Sequence, residues 1–285
     1  MAEELRGAPV ARALTEEQAA RTEQLKGAGI EPRLAFVRVG ERPDDISYQH
    51  AAEKRCAKAG IETKLFALPE DVTQDEVEAT IRSINEDSSI HGCLMFRPLP
   101  KTLDEKAAAA ALDPAKDVDG ITEGSLYGVF SGSRAGFAPC TAAAVVAMLD
   151  HYGAPLDGAK VTVVGRSLVV GRPLASLLLG RNATVTLCHS HTKDLFAETR
   201  AADIVVACAG RPQMLTADAF RPGQTVIDVG MNYLSSEGRF VGDVAEEAKE
   251  VVGALTPVPG GVGAVTCAIL AEHTIEAAER AKAEA

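Results

Sequence analysis

The sequence predicts an α/β protein made of two α/β domains with an interdomain cleft. Two observations carry that prediction. Short runs of β-branched and apolar residues alternate with helical stretches that begin at capping residues and end at glycine or proline, the pattern of parallel strands joined by crossover helices. The alternation occurs twice, on either side of a Gly-rich, weakly periodic stretch over 113–139. A chain of 285 residues is long enough for each series to bury its own core.

In the first series, residues 33–40 (Arg-Leu-Ala-Phe-Val-Arg-Val-Gly) read as a strand and 44–59 as a helix closed by Gly60. Glu62–Leu68 is a strand, and 73–85 a helix with Thr73 as N-cap and Glu76 at the capping-box position. Residues 92–96 make a short buried strand stopped by Pro98 and Pro100, and 103–112 an Ala-rich helix. The stretch 113–139 reads as loops at an interface. A helix over 141–152 is broken by Gly153-Ala154-Pro155. The second series has strands at 160–165, 184–189, 203–210 and 225–230, and a long helix over 264–285 ends the chain. The expected domains are 1–140 and 141–263, with the final helix packing back on the first. The cleft between them is the default place for catalysis.

Composition narrows the function classes. The net charge of −11 argues against a nucleic-acid or anionic-membrane surface, both of which call for clustered Lys and Arg. No apolar run approaches the ~20 residues that span a bilayer. The opening Met1-Ala2-Glu3-Glu4-Leu5-Arg6 has neither the basic nor the apolar region of a secretory signal, so a cytoplasmic enzyme is expected. Six scattered cysteines without a Cys-x-x-Cys pair fit small buried residues in a reducing compartment, with no disulfide frame and no metal site.

The most informative stretch is Val161-Thr162-Val163-Val164-Gly165-Arg166-Ser167-Leu168-Val169-Val170-Gly171-Arg172-Pro173. An apolar strand ends at Gly165, and Gly171 and Pro173 open a helix. A strand running into a helix N-terminus is the usual seat of a pyrophosphate, which makes the second domain a Rossmann-type dinucleotide-binding domain. Ser167 stands where the common G-x-G-x-x-G pattern has its second glycine, so the pattern alone also fits a tight turn without a ligand. The following strand decides between cofactors. An NAD site carries an acid near its end, whereas here it ends Cys188-His189-Ser190-His191-Thr192-Lys193, with no acid before Asp194. Arg166 and Ser190 suit a 2′-phosphate, so the expected cofactor is NADP.

Three further segments look chemical. Lys116-Asp117-Val118-Asp119-Gly120 reads either as a helix-terminating Asx turn or as a carboxylate that binds amide-like nitrogens of a ligand. Thr256-Pro257-Val258-Pro259-Gly260-Gly261-Val262-Gly263 reads as a linker or as a backbone surface for a flat ligand or phosphate. Tyr48 shares a helix face with Ala51, Ala52 and Arg55, as core or as a ligand contact.

Taken together, the chain resembles the methylenetetrahydrofolate dehydrogenase/cyclohydrolase family. The resemblance runs from about Leu34 to the final helix. It rests on Val39-Gly40 ahead of Tyr48, Arg97-Pro98-Leu99-Pro100, the 116–120 segment, Pro139-Cys140-Thr141, the 165–173 turn, Val226-Ile227-Asp228-Val229-Gly230, Val241-Gly242-Asp243-Val244 and the 257–263 loop. It implies a cytoplasmic, homodimeric oxidoreductase of one-carbon metabolism acting on tetrahydrofolate derivatives with NADP. By that resemblance Tyr48 and Asp119 are the catalytic-site residues, Tyr48 stacking on the folate ring system and Asp119 binding its pterin-side nitrogens. Phe96, Arg97, Pro98, Pro259, Gly260 and Gly261 complete the substrate site. Gly165, Arg166, Ser167, Val170, Gly171, Ser190, Gly261 and Thr266 make the NADP site.

Two positions depart from the family. Members with both activities carry a lysine four residues after the tyrosine and a glutamine before the Pro-rich turn, and here these are Ala52 and Phe96. Lys54 lies ~240° around the helix from Tyr48, and Arg55, although on its face, is a poor general base. Dehydrogenation needs no side chain to take a proton, whereas cyclohydrolysis does. The expected activity is therefore the dehydrogenase, with cyclohydrolase impaired or absent. The alternatives are a bifunctional enzyme using Arg97, Lys54 or a water in the lysine's place, and a binding protein that holds NADP or folate without turnover.

Overall fold

A computed structural model describes residues 2–133, 135–235 and 237–284. Positions 1, 134, 236 and 285 of the expected spans lie outside the described residues. The chain divides into two compact units, Met1–Ala11 with Thr141–Thr266 and Arg12–Cys140 with Cys267–Ala285.

The chain opens with β1 (Glu3–Glu4) and α1 (Gly7–Gly27). Then come β2 (Arg33–Val39), α2 (Pro43–Lys58), β3 (Glu62–Leu68), α3 (Gln74–Glu86), β4 (Gly92–Met95), α4 (Glu105–Ala110) and α5 (Glu123–Ser131). The three longer strands form a parallel sheet in the order β3-β2-β4. Period-two alternation sends Ala35, Val37 and Val39 to the face where Val77, Ile81 and Ile84 of α3 pack. α3 starts as its sequence signals: the Thr73 side chain accepts the Glu76 N–H, and the Glu76 carboxylate accepts the Thr73 N–H.

The stretch 113–139, expected to be loops, contains α5. Thr122 caps it by accepting the Ser125 N–H, and Gly132 ends it in the left-handed region. Two glycines, Gly124 and Gly128, lie inside this helix and weaken its sequence signal. A Cβ on Gly124 would lie 2.6 Å from Pro114, so close packing selects glycine there.

The chain continues with α6 (Cys140–His151), β5 (Lys160–Val164), α7 (Gly171–Leu179), β6 (Thr184–Cys188), α8 (Leu195–Ala201), β7 (Ile204–Ala207), β8 (Thr225–Asp228), β9 (Asn232–Leu234), β10 (Arg239–Val241), β11 (Ala254–Leu255) and α9 (Gly263–Glu284). Six strands form one sheet in the order β1-β11-β8-β7-β5-β6, every pair parallel. β9 and β10 make a separate antiparallel hairpin. The first eleven residues were expected in the span 1–140 but belong with this sheet. Glu3 and Glu4 extend it by pairing with Ala254 and Leu255, and the Tyr152 hydroxyl donates to the Arg6 carbonyl. From Cys267 onward, α9 joins the other unit. Gln18 of α1 donates to the Ala268 carbonyl, and Arg21 of α1 binds Glu272 and Glu279.

β7 and β8 end more than one residue earlier than expected, for one reason. β7 stops at Ala207 because the N–H groups of Ala209, Gly210 and Arg211 turn to the Asp243 carboxylate. β8 stops at Asp228, whose carboxylate accepts from Gly230, Asp243 and Val244.

Candidate active site

The first group of site residues gathers where β2 and β4 end. Tyr48 projects from α2, and its ring meets the Phe96 ring edge-on at 6.1 Å between centroids. Phe96, the residue after β4, also packs on Phe36 of β2 at 5.9 Å. Ala52, one turn along α2 from Tyr48, is 0% exposed, and Phe96 is 6% exposed. Both positions are therefore buried and apolar. The Tyr48 hydroxyl shares a hydrogen bond with the Cys267 thiol, and burial holds its pKa well above the usual phenol range. Lys54 is exposed, and Arg55 donates to the Thr15 hydroxyl of α1.

The two carboxylates of the 116–120 segment differ in their partners. Asp117 makes the turn: its buried carboxylate accepts the N–H groups of Ile121 and Thr122 at 3.0 and 2.7 Å. Asp119 faces the other way, toward Arg97 and Cys140. Its Oδ2 lies 3.8 Å from the Arg97 guanidinium. Burial pushes its pKa up to about 6, against the opposing pull of Arg97 and a hydrogen bond from the Cys140 thiol, while the Asp117 charge pushes the same way as burial. Arg97 thus lies between Asp119 and Glu105. Pro98 beside it is exposed, and its carbonyl accepts from Arg42.

The second group lies in the six-stranded sheet. The chain leaves β5 toward β6 on one side and returns to β7 on the other, so the carboxyl end of β5 is the topological switch point where open α/β sheets bind ligands. Gly165 and Gly171 make this turn possible: a Cβ on Gly171 would lie 2.0 Å from the Gly165 carbonyl oxygen. Ser167 folds the turn by accepting the Val170 N–H at 3.1 Å, and Val170 caps α7 without a side-chain hydrogen bond. Arg166 and Ser190 are exposed at the ends of adjacent strands β5 and β6. Ser190 stands in a tight turn in which the Thr192 N–H donates to the His189 carbonyl. Asp194, the first acid after β6, caps α8 by accepting the Ala197 N–H. That donor set, an exposed guanidinium and hydroxyl with the nearby carboxylate already used, fits a 2′-phosphate.

The 257–263 loop belongs to the same unit. Gly7 N–H donates to the Gly260 carbonyl, Pro259 and Gly260 are exposed, and Gly261 is buried. Thr266 lies in the first turn of α9, its hydroxyl near the Val262 carbonyl. The Asp228 and Asp243 motifs, prominent in the sequence, act here as structural pins for the loops after β7 and β8.

Comparison with known proteins gives this arrangement a family. The model described as tetrahydrofolate dehydrogenase/cyclohydrolase, catalytic domain, matches residues 5–119, and that described as the NAD(P)-binding domain matches 139–282. The chain belongs to the tetrahydrofolate dehydrogenase/cyclohydrolase family. Among relatives of this family, the bifunctional protein FolD of Carboxydothermus hydrogenoformans is 48% identical over 98% of both chains. That of Alkaliphilus oremlandii is 46% identical over 97% of both. The solved bifunctional enzyme FolD of Campylobacter jejuni is 38% identical, with a TM-score of 0.94 over 98% of this chain and 99% of that one. The Trypanosoma brucei FolD solved with NADP and an inhibitor is 33% identical, with a TM-score of 0.92 over 100% and 99%.

Sequence reading missed several partners of this family site. Glu105 and the thiols of Cys140 and Cys267 touch the site residues, yet carry no local motif for that role. The Pro139-Cys140-Thr141 anchor marked Cys140 only as a family position.

Proposed function

We propose that this enzyme is an NADP-dependent methylenetetrahydrofolate dehydrogenase whose cyclohydrolase activity is strongly impaired or absent. The observation that carries the second half is the character of two buried positions: Ala52 is 0% exposed and Phe96 is 6% exposed, and neither side chain can accept or donate a proton. A dehydrogenase tolerates this. Oxidation of the methylene carbon is driven by the neighbouring nitrogen lone pair and yields a resonance-stabilised methenyl cation, with no proton for a side chain to remove. When bound, NADP supplies the two-electron acceptor. Tyr48 offers its ring face to the folate, and Asp119 accepts N–H groups of its pterin. Arg166 and Ser190 hold the 2′-phosphate, with the Gly165–Gly171 turn at the pyrophosphate and Pro259, Gly260, Gly261 and Thr266 beside the ligands. Catalysis on this reading is chiefly positioning.

Hydrolysis of the methenyl cation instead moves protons, and a tuned acid–base group contributes ~10²–10⁴-fold to such a step. Lys54 is exposed, and Arg97, paired with Asp119 and Glu105, carries a guanidinium, a poor general base. A second reading keeps both activities, favoured by relatives at 48% and 46% identity that are named bifunctional. Methenyltetrahydrofolate hydrolysis, corrected for the uncatalysed rate and measured beside NADP reduction, decides between them. Rates of the same order would refute the loss of cyclohydrolase. Absence of methylenetetrahydrofolate-dependent NADP reduction would refute the dehydrogenase itself.

We further propose that the enzyme is a homodimer. The β9–β10 hairpin supports this, since Tyr233 and Phe240 are 58% and 46% exposed and pair at 5.2 Å between ring centroids. Among the described residues, no helix is long and apolar enough to cross a membrane.

A further inference from the structure

The group around Asp119 contains a cation that the reaction chemistry does not require. Arg97 extends from the end of β4 with its guanidinium between two carboxylates, 3.8 Å from Asp119 Oδ2 and 3.6 Å from Glu105 Oε1. Glu105 lies in the first turn of α4, and its other oxygen accepts the Leu99 N–H at 3.0 Å. That bond ties the 97–99 segment to the helix, so the guanidinium is anchored at both ends. An arginine suits this place because its planar, permanently charged group can serve two carboxylates at once.

The surroundings of Asp119 otherwise disfavour its charge. Asp117, two residues earlier, is buried and adds a like charge. Tyr48, Cys140 and Cys267, the other titratable groups that bear on it, have their own pKa values raised by burial and are neutral. The Cys140 thiol helps by a hydrogen bond, but Arg97 is the larger influence favouring the carboxylate. With Ala52 in place of a lysine, α2 supplies no cation at that position.

We propose that Arg97 is a positioning residue that keeps Asp119 ionised and fixed for binding the pterin N–H groups, and so sets folate affinity and its dependence on pH. This rests on the reading of Asp119 as a folate-binding residue. A carboxylate accepts from two N–H groups, whereas a protonated acid presents a donor to them and loses the pair.

The test is steady-state kinetics of the intact enzyme from about pH 6 to 9 for Arg97→Leu, Arg97→Lys and Asp119→Asn, with thermal melts to establish folding. An adjacent opposite charge typically shifts a carboxyl pKa by ~1–3 units. With a one-unit shift, Arg97→Leu raises the folate KM about fivefold near pH 6 and converges on the wild type by about pH 8. The acid limb of kcat/KM moves up by about one pH unit, while the KM for NADP stays within about twofold. Arg97→Lys restores most of the limb. A folded Arg97→Leu enzyme with an unmoved acid limb, or a KM rise equal at every pH, overturns the proposal; the second result would assign Arg97 to direct contact with a ligand anion. Asp119→Asn separates the two levels. Wild-type folate KM in that variant overturns the reading of Asp119 itself. A crippled Asp119→Asn beside an unaffected Arg97→Leu overturns the role of Arg97 alone.

Discussion

On the proposed reading, cofactor choice turns on Arg166. It stands exposed at the end of β5, beside the end of β6 where an acid would otherwise repel a phosphate. Charge-assisted hydrogen bonds contribute about 1.5–3 kcal/mol, so Arg166→Ser is expected to raise the KM for NADP about 10–100-fold and leave that for NAD nearly unchanged. Measuring both constants side by side checks this, and an unaltered ratio would contradict it. At the other site, Ala52→Lys alone places an ammonium in a fully buried apolar position, which costs several kcal/mol unless a partner is supplied. Adding Phe96→Gln removes the ring and supplies that partner. The double variant is therefore expected to gain methenyltetrahydrofolate hydrolysis of ~10²-fold or more over the parent. A folded double variant with no gain would argue that the enzyme already uses some other group. Residue types were readable in the chain at these positions, but their surroundings were not. Asp117 and Asp119 look alike in sequence, and only the fold turns one to backbone N–H groups and the other to Arg97.

The Gly165–Gly171 turn shows an element whose signal is both local and tertiary. Its strand-turn-helix order was legible from β-branched residues and the two glycines. The reason for the second glycine is a close approach, with the Gly165 carbonyl oxygen 2.0 Å from where a Cβ on Gly171 would stand. Gly171→Ala is expected to force the turn open, lower stability by about 1–3 kcal/mol and raise the KM for NADP. Chemical denaturation with NADP kinetics tests it, and an unchanged midpoint and KM would show that the turn relaxes freely. Elsewhere, capping decided legibility. α3 was readable because Thr73 and Glu76 cap it within four residues. α5 was hidden because Gly124 and Gly128, selected in part by packing against Pro114, interrupt its pattern. The short β1, β9, β10 and β11 went unread, since two or three residues carry too little period.

For the whole molecule, the proposed homodimer makes the broadest prediction. Tyr233→Ser with Phe240→Ser removes the exposed aromatic pair of the hairpin. Sedimentation equilibrium is expected to show a dimer for the parent and a shift toward monomer, by about tenfold or more in dissociation constant, for the double variant. A monomeric parent would end that reading, and an unshifted dimer would place the seam elsewhere. The repeated strand-helix alternation was readable as well. The exception is the first eleven residues, which join the six-stranded sheet through Glu3 and Glu4, two exposed acids that no sequence pattern marks as a strand.

The sequence by itself determined the α/β class, most elements, the family and the residue types at both sites. Those signals act within a few residues, through side-chain period, capping and backbone preference. Only the tertiary structure decided which carboxylate faces Arg97, where the Arg97 guanidinium lies, and that Ala52 and Phe96 are both buried. These depend on segments far apart in the chain, 36, 48–52, 96–97, 105, 119, 140 and 267, brought together by burial. Charge strength and proton affinity follow from that shared environment rather than from any one residue.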